Sequence, residues 1–226
     1  MNTKINKSKT KLSSIRTDID NIDAKLQQLI NQRAELAKKI GLAKDKKGTS
    51  TDFYKPEREA AVLRSVIERN NGPLRDVEMV RLFREIMSAC LAQQEPLKIG
   101  FLGPEGTFTQ AAVYKQFGHS VRALPYGSID EVFHEVESHT ADFGVVPIEN
   151  STEGTVNNTL DMFVSSPLNI CGEIELRIEH HLLGKVKDLK NIHRICAHEQ
   201  ALAQCRDWVR EYLPDVELIS VSSNAV

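Results

Sequence analysis

Arg33, Ala37, Gly41 and Lys44 follow one another at spacings of four, four and three residues. On an α-helix such spacings put all four on one face. Two cations then flank two small residues, and the stretch from Arg33 to Lys44 rises about 16 Å. Long side chains leaning inward from both ends leave room for one small anion between them. Arg33 also occupies an apolar stripe, where an unpaired charge is costly. A snorkelling arginine, or one that sets register in a coiled coil, is the plainer alternative. Gln94 sits on another buried-looking stripe, where an ordinary interface residue is the alternative to a ligand-facing amide. A second set of polar residues lies in turns: Gly103-Pro104-Glu105-Gly106-Thr107, Pro147-Ile148-Glu149-Asn150-Ser151, His198-Glu199-Gln200 and Ser222-Ser223-Asn224-Ala225. Each offers N–H groups, hydroxyls or amides near a helix start, a natural place for a carboxylate. Simple helix capping is the alternative for any one of them. The first turn has neither the G-x-G-x-x-G spacing nor the Gly-Lys-Ser ending of a P-loop.

The elements that must position these residues change character near residue 95. From Ile15 the apolar positions Ile15, Ile19, Ile22, Leu26 and Leu29 step by 4, 3, 4 and 3, skip Arg33, and resume at Leu36 and Ile40. This is a heptad stripe on one long helix beginning near Leu12. Pro56 suits a first helical position, and Glu57 and Glu59 favour the positive end of that helix. Gly72-Pro73 ends it, and Asp76 is expected to cap a third helix with the stripe Val80, Phe83, Met87, Cys90 or Leu91, and Gln94. After Glu95-Pro96, strand-like and helix-like runs alternate. "LKIGFLG", "VRALPY", "ADFGVVPIEN", "LNICGEIELRIEHHLLG", "HRICAH" and "VELISV" read as strands. Ser128 is the expected cap of the second helix of this half. Such alternation predicts an α/β sheet with ligands at the carboxyl ends of its strands.

Composition bounds the partners. The 226 residues carry 27% charged side chains and a formal net charge of −2, so the chain has no nucleic-acid bias. No apolar run approaches a membrane span, which needs roughly 18 residues or more. Residues 1–11 hold Lys4, Lys7, Lys9 and Lys11 without an acid; a solvated, disordered tail is expected, with a nucleic-acid or membrane arm as the alternative. Cys90, Cys171, Cys196 and Cys205 form no C-x-x-C pair, which suggests reduced thiols in a cytoplasm and no metal cluster. His180 and His181, adjacent in a strand, would point to opposite faces, so one metal is not expected to use both. No cofactor is implied.

Residues 12–95 resemble the all-helical chorismate mutases. The resemblance rests on "IRTDIDNIDAKLQQLINQRAELAKKIGLAK", "YKPEREA" and "RLFREIMSACLAQQ" in this order. It implies three helices in an intertwined homodimer that rearranges chorismate to prephenate. It implies further that Arg16 and Arg33 hold the two carboxylates, that Lys44 and Gln94 donate to the ether oxygen, and that Glu57 accepts from the ring hydroxyl. Cys90 falls where relatives can carry serine, and Pro56 where the family has an arginine. Arg16 and Arg33 lie 17 residues apart, about 25 Å along a helix. They cannot grip one small dianion from a single straight helix: either the helix breaks between them, which no Gly or Pro there suggests, or Arg16 serves a second site, as an antiparallel partner chain would allow.

Residues 97–226 resemble prephenate dehydratase, on the four turns quoted above together with Gly154 and Gln204-Cys205. The resemblance implies a two-lobed α/β fold like that of periplasmic binding proteins. Its cleft for prephenate would be lined by Gly106, Thr107, Glu149, Asn150, Ser151, Gln204, Ser222 and Ser223. Together the halves look like a fused enzyme of phenylalanine biosynthesis. The family continues with a Thr-Arg-Phe segment carrying a catalytic threonine, then a phenylalanine-sensing domain. This sequence has neither, so the expectation is an incomplete second lobe without dehydratase activity. A small-anion binding or sensing module without catalysis is the competing reading of the back half, and a purely helical dimerisation segment that of the front.

Overall fold

The computed structural model describes residues 2–45, 54–150 and 154–221. The chain forms two compact units. One holds the residues through Leu97 together with Phe117–Val121, and the other holds the remainder.

The first unit is helical. Helix α1 spans Asn2–Asp45, α2 Pro56–Arg69 and α3 Asp76–Leu91. Residues 2–11 continue α1 as helix, where the sequence suggested a disordered tail. The physical reason is that no Gly or Pro interrupts this stretch, and lysine is a good helix former. Helix α2 opens with Pro56 at its first turn and Glu57 and Glu59 beside it, as its sequence predicts. Asp76 is not the cap of α3: Arg75 holds that position, without a side-chain cap. The Asp76 carboxylate instead accepts from the Asn70 amide at 2.6 Å and ties α3 to the end of α2. Between α2 and α3, Arg84 pairs with Glu59 at 3.2 Å in a partly buried position. Leu63, Val66 and Cys90 are buried here. Along α1, by contrast, Leu12, Ile15, Ile19, Ile22, Leu26, Leu29, Leu36 and Ile40 remain between 47% and 61% exposed. Among the described residues the heptad stripe faces no partner.

The second unit is α/β. Strands β1 (Lys98–Leu102), β2 (Arg122–Tyr126) and β3 (Phe143–Val145) form a parallel sheet in the order β2-β1-β3. Helices α4 (Phe108–Phe117) and α5 (Ile129–Glu137) are the crossovers. Ser128 caps α5 by accepting from the Glu131 N–H at 3.2 Å, and the Glu131 carboxylate accepts from Gly127 N–H at 2.8 Å. This is close to a capping box, with the returning bond on the N–H of the residue before the cap. Ile99, Phe101, Val113, Val132 and Phe133 are buried between sheet and helices. Residues 149–155 include a short antiparallel pair, β4 (Glu149–Asn150) with β5 (Gly154–Thr155), followed by α6 (Asn157–Ser165). Strand β6 (Arg194–His198), helices α7 (Glu199–Gln204) and α8 (Arg206–Tyr212), and strand β7 (Glu217–Val221) complete the described residues. Strands β6 and β7 pair in parallel, with His198 opposite Val221.

The stretch 168–184, strand-like in sequence, carries no strand. Alternation gives a segment a face to bury, but a strand forms only against a neighbour that accepts its ladder. No such neighbour is present among the described residues.

Candidate functional site

The helical site grows from one face of α1. Arg33 and Ala37 are half-buried, Gly41 is buried, and Lys44 lies in the last turn of the helix. Helix α3 ends at Leu91, so Gln94 stands in the turn beyond it, its N–H donating to the Leu91 carbonyl at 3.0 Å. From this turn the Gln94 amide reaches α1 and donates through Nε2 to the carbonyl of Ala37 at 2.9 Å. The structure therefore brings Gln94 onto the Arg33–Lys44 face, 57 residues away in sequence. Cys90, the penultimate residue of α3, is 2% exposed. Glu57 is solvent-exposed in the first turn of α2, and Arg16 is exposed far along α1. The helix α1 is unbroken between Arg16 and Arg33, so the separation of about 25 Å stands. A chain with both cations on one dianion needs a second source of Arg16.

The α/β site is built by topology. Strands β1 and β3 are parallel neighbours, with Ile99 beside Phe143 and Phe101 beside Val145. The turns that follow them emerge from the same edge of the sheet, where α/β proteins bind ligands. Gly103-Pro104-Glu105-Gly106-Thr107 follows β1. The Gly103 N–H donates to the Tyr126 carbonyl at 2.8 Å, pinning this turn to the end of β2. Gly106 adopts a φ of 81°, the left-handed conformation that favours glycine. Its N–H donates to Gln110 Oε1 at 2.6 Å, while Thr107 Oγ1 accepts from Gln110 N–H at 3.4 Å. Both residues are thus engaged at the start of α4.

Glu149 and Asn150 follow β3 in β4. Ser151 lies outside the described residues, as do Ser222 and Ser223. The turn before β4 is anchored from inside: Thr159, 0% exposed, donates through Oγ1 to the Pro147 carbonyl at 2.7 Å. The Val156 N–H donates to the Ile148 carbonyl at 2.9 Å. The same edge logic applies to the second parallel pair. β6 leads into α7 and Gln204, and β7 leads toward Ser222. Gln204 meets His180, whose Nε2 contacts its Oε1. The His180 ring also packs edge-on against Phe108, with centroids 6.2 Å apart. His180 thus joins the end of α7 to the start of α4, a role its sequence neighbourhood did not signal. Its contacts are with residues 24 and 72 positions away, beyond any local periodicity. Among the described residues, no group of three His, Cys, Asp or Glu is placed to hold a metal ion.

Comparison with known proteins agrees with both halves. The prephenate dehydratase family model matches residues 99–226, and the chorismate mutase type II model matches residues 15–95. The bifunctional chorismate mutase/prephenate dehydratase of Pseudomonas aeruginosa is 53% identical over 218 residues, covering 95% of this chain and 60% of the relative. Those of Aquifex aeolicus and Escherichia coli are 42% and 30% identical, over 60% and 57% of their own lengths. The chain therefore spans about three-fifths of the curated relatives it matches. A solved prephenate dehydratase from Arthrobacter aurescens, in complex with L-Phe, shows 36% identity and a TM-score of 0.44 over 56% of this chain and 43% of its own. With its α/β half matched from end to end and its helical half matched ahead of it, the chain belongs to the prephenate dehydratase family and carries a chorismate mutase type II domain in front.

Proposed function

We propose that the helical half converts chorismate to prephenate as a homodimer, and that the α/β half is a two-lobed, prephenate-binding domain of the dehydratase type. The observation that carries the mutase reading is the placement of Gln94 on the α1 face between Arg33 and Lys44. The rearrangement is pericyclic, so it needs no nucleophile and no proton relay. Negative charge develops on the ether oxygen as its bond to carbon breaks. Lys44 and the Gln94 amide, held at that oxygen, favour the transition state over the ground state. Arg33 and a partner's equivalent of Arg16 clamp the two carboxylates and hold the compact, reactive conformer. Glu57 accepts from the ring hydroxyl, and Cys90 lines the wall beneath.

The dimer is supported by the bare stripe of α1. Eight large apolar side chains between Leu12 and Ile40, each about half exposed, run for about 42 Å along one helix. A contiguous apolar surface of this kind marks an interaction site. An antiparallel copy of α1 would cover it and carry Arg16 toward Arg33. In the α/β half, prephenate as a dicarboxylate would be held by N–H groups and side chains of Gly106, Thr107, Glu149, Asn150, Ser151, Gln204, Ser222 and Ser223. A cytoplasmic setting fits the unpaired cysteines. Among the described residues no helix is long and apolar enough to cross a membrane.

The test is direct. The purified chain is mixed with chorismate, and loss of substrate and appearance of prephenate are followed. Turnover that disappears in Lys44→Ala and falls in Gln94→Ala is expected. A folded, dimeric chain with no rate above the uncatalysed one would refute the reading.

A further inference from the structure

Gly41 is buried in the interior of α1, directly beneath the Gln94 amide. A Cβ built on Gly41 would lie 2.1 Å from Oε1, 2.5 Å from Cδ and 3.0 Å from Cγ of Gln94. The amide occupies space that any side chain at 41 would fill. One turn earlier, the Ala37 carbonyl accepts from Nε2. This contact sets which way round the amide sits, because the reverse orientation would put two oxygens against each other. A primary amide carries two N–H donors. Ala37 takes one, and the fixed plane of the amide then fixes the direction of the other. Oε1 is buried without a hydrogen-bond partner among the described residues. Leaving an acceptor so is unfavourable, a cost set against the contact with Ala37. Helix stability does not account for the glycine, since alanine is the better residue in a helix interior.

We propose that Gly41 is a positioning residue for the mutase reaction. Its missing side chain, together with the Ala37 carbonyl, seats the Gln94 amide so that its second N–H is presented to the ether oxygen of the substrate. This rests on the mutase function proposed above. Gly41 touches no substrate in this scheme and acts through Gln94 alone. Any larger residue lifts the amide from its seat and turns that donor away from the oxygen.

The experiment is a double-mutant cycle on the full chain, with chorismate as substrate. Gly41→Ala is expected to lower kcat by at least about tenfold while KM moves less than about threefold, the pattern of an interaction made in the transition state. In the Gln94→Ala background the same substitution is expected to change kcat by less than about twofold, because the amide it displaces is gone. Equal losses in both backgrounds would show that Gly41 acts through helix packing and would overturn the proposal. So would an unchanged kcat in Gly41→Ala. Should Gly41→Ala fail to fold, Gln94→Asn leaves the glycine intact, keeps both donors and shortens their reach by one methylene. It is expected to show the same loss in kcat at unchanged KM, and full activity would overturn the proposal. A wild-type chain that turns over no chorismate sinks the mutase reading itself. Turnover with a background-independent loss sinks only the role of Gly41.

Discussion

Glu85 accepts twice from His119: the backbone N–H donates to Oε2 at 3.0 Å, and the ring Nδ1 lies 2.7 Å from Oε1. Both residues belong to the first unit, although 34 positions separate them. Gly118 makes the approach possible. Its φ is 75°, and a Cβ there would lie 2.6 Å from Cβ of Ser88. Partial burial pushes the Glu85 carboxyl up. The hydrogen bonds from the His119 ring and backbone, with the charges of His119 and Arg81, outweigh it and hold the group below its ordinary value of 4.5.

The sign of the resulting pH dependence follows. A carboxyl with a lower pKa in the folded state contributes stability above its unfolded value and loses it as pH falls through the folded one. The contribution is present at neutral pH and fades below 4.5. Glu85→Gln is expected to lower the urea midpoint at pH 6, by about 0.5 kcal/mol in stability because both side chains are partly solvated. The gap between variant and wild type should narrow as the pH is taken well below 4.5. A gap of constant size would show that the carboxylate charge plays no part.

Thr159 offers a test of the α/β half that needs no substrate. Its hydroxyl is fully buried and donates to Pro147, at the base of the turn carrying Glu149 and Asn150. Thr159→Val removes the donor at nearly constant volume and leaves the carbonyl unpaired. A loss of about 1–2 kcal/mol in unfolding free energy is expected, with an unchanged m-value. An unaltered midpoint would mean that the turn is held by its backbone contacts alone.

The limits of sequence reasoning fall where contacts become non-local. The face shared by Arg33, Ala37, Gly41 and Lys44 was legible because helical periodicity alone defines it. Strands β1, β2, β6 and β7 were legible as short apolar runs bounded by turn residues. The apolar stripe of the third helix continues in sequence to Gln94, whereas α3 ends at Leu91 and Gln94 reaches α1 from a turn. Periodicity continues smoothly through a helix end that only hydrogen bonding reveals. Residues 168–184 alternate like a strand, yet alternation cannot supply the neighbour that a strand needs. The pairing of His180 with Gln204 and Phe108 links three segments, and nothing in their separate spacings announces it.

The separation of Arg16 from Arg33 along an unbroken α1 leads to a complementation experiment. Arg16→Ala chains and Arg33→Ala chains, each expected to be nearly inactive alone, are mixed under conditions that exchange subunits. If each site takes Arg33 from one chain and Arg16 from the other, a mixed dimer holds one intact site and one site lacking both arginines. Activity should rise on mixing toward about a quarter of the wild-type value, since half of the dimers are mixed and half of their sites are whole. Heterodimers that form without any recovery would place the two arginines in the same chain's site, or remove one from catalysis.

The identity of residue 94 predicts the shape of the pH profile. An amide donates at any ordinary pH, and a lysine ammonium with a reference value of about 10.4 stays charged well above neutrality. The wild-type kcat/KM for chorismate is therefore expected to be flat from about pH 6 to 8.5. Gln94→Glu replaces the amide with a group that donates only when protonated. Its activity should rise toward acid pH and fall as the carboxyl ionises, because a carboxylate facing the ether oxygen opposes the charge developing there. Its acid plateau should also stay below wild type. The protonated carboxyl has a single donor, while the Gln94 amide keeps one N–H on Ala37 and still has another to give. The measurement is kcat/KM against pH for both proteins, with circular dichroism to confirm that the helices persist. Coincident profiles in an intact dimer would mean that Gln94 does not face the ether oxygen, and that its contact with α1 serves packing alone.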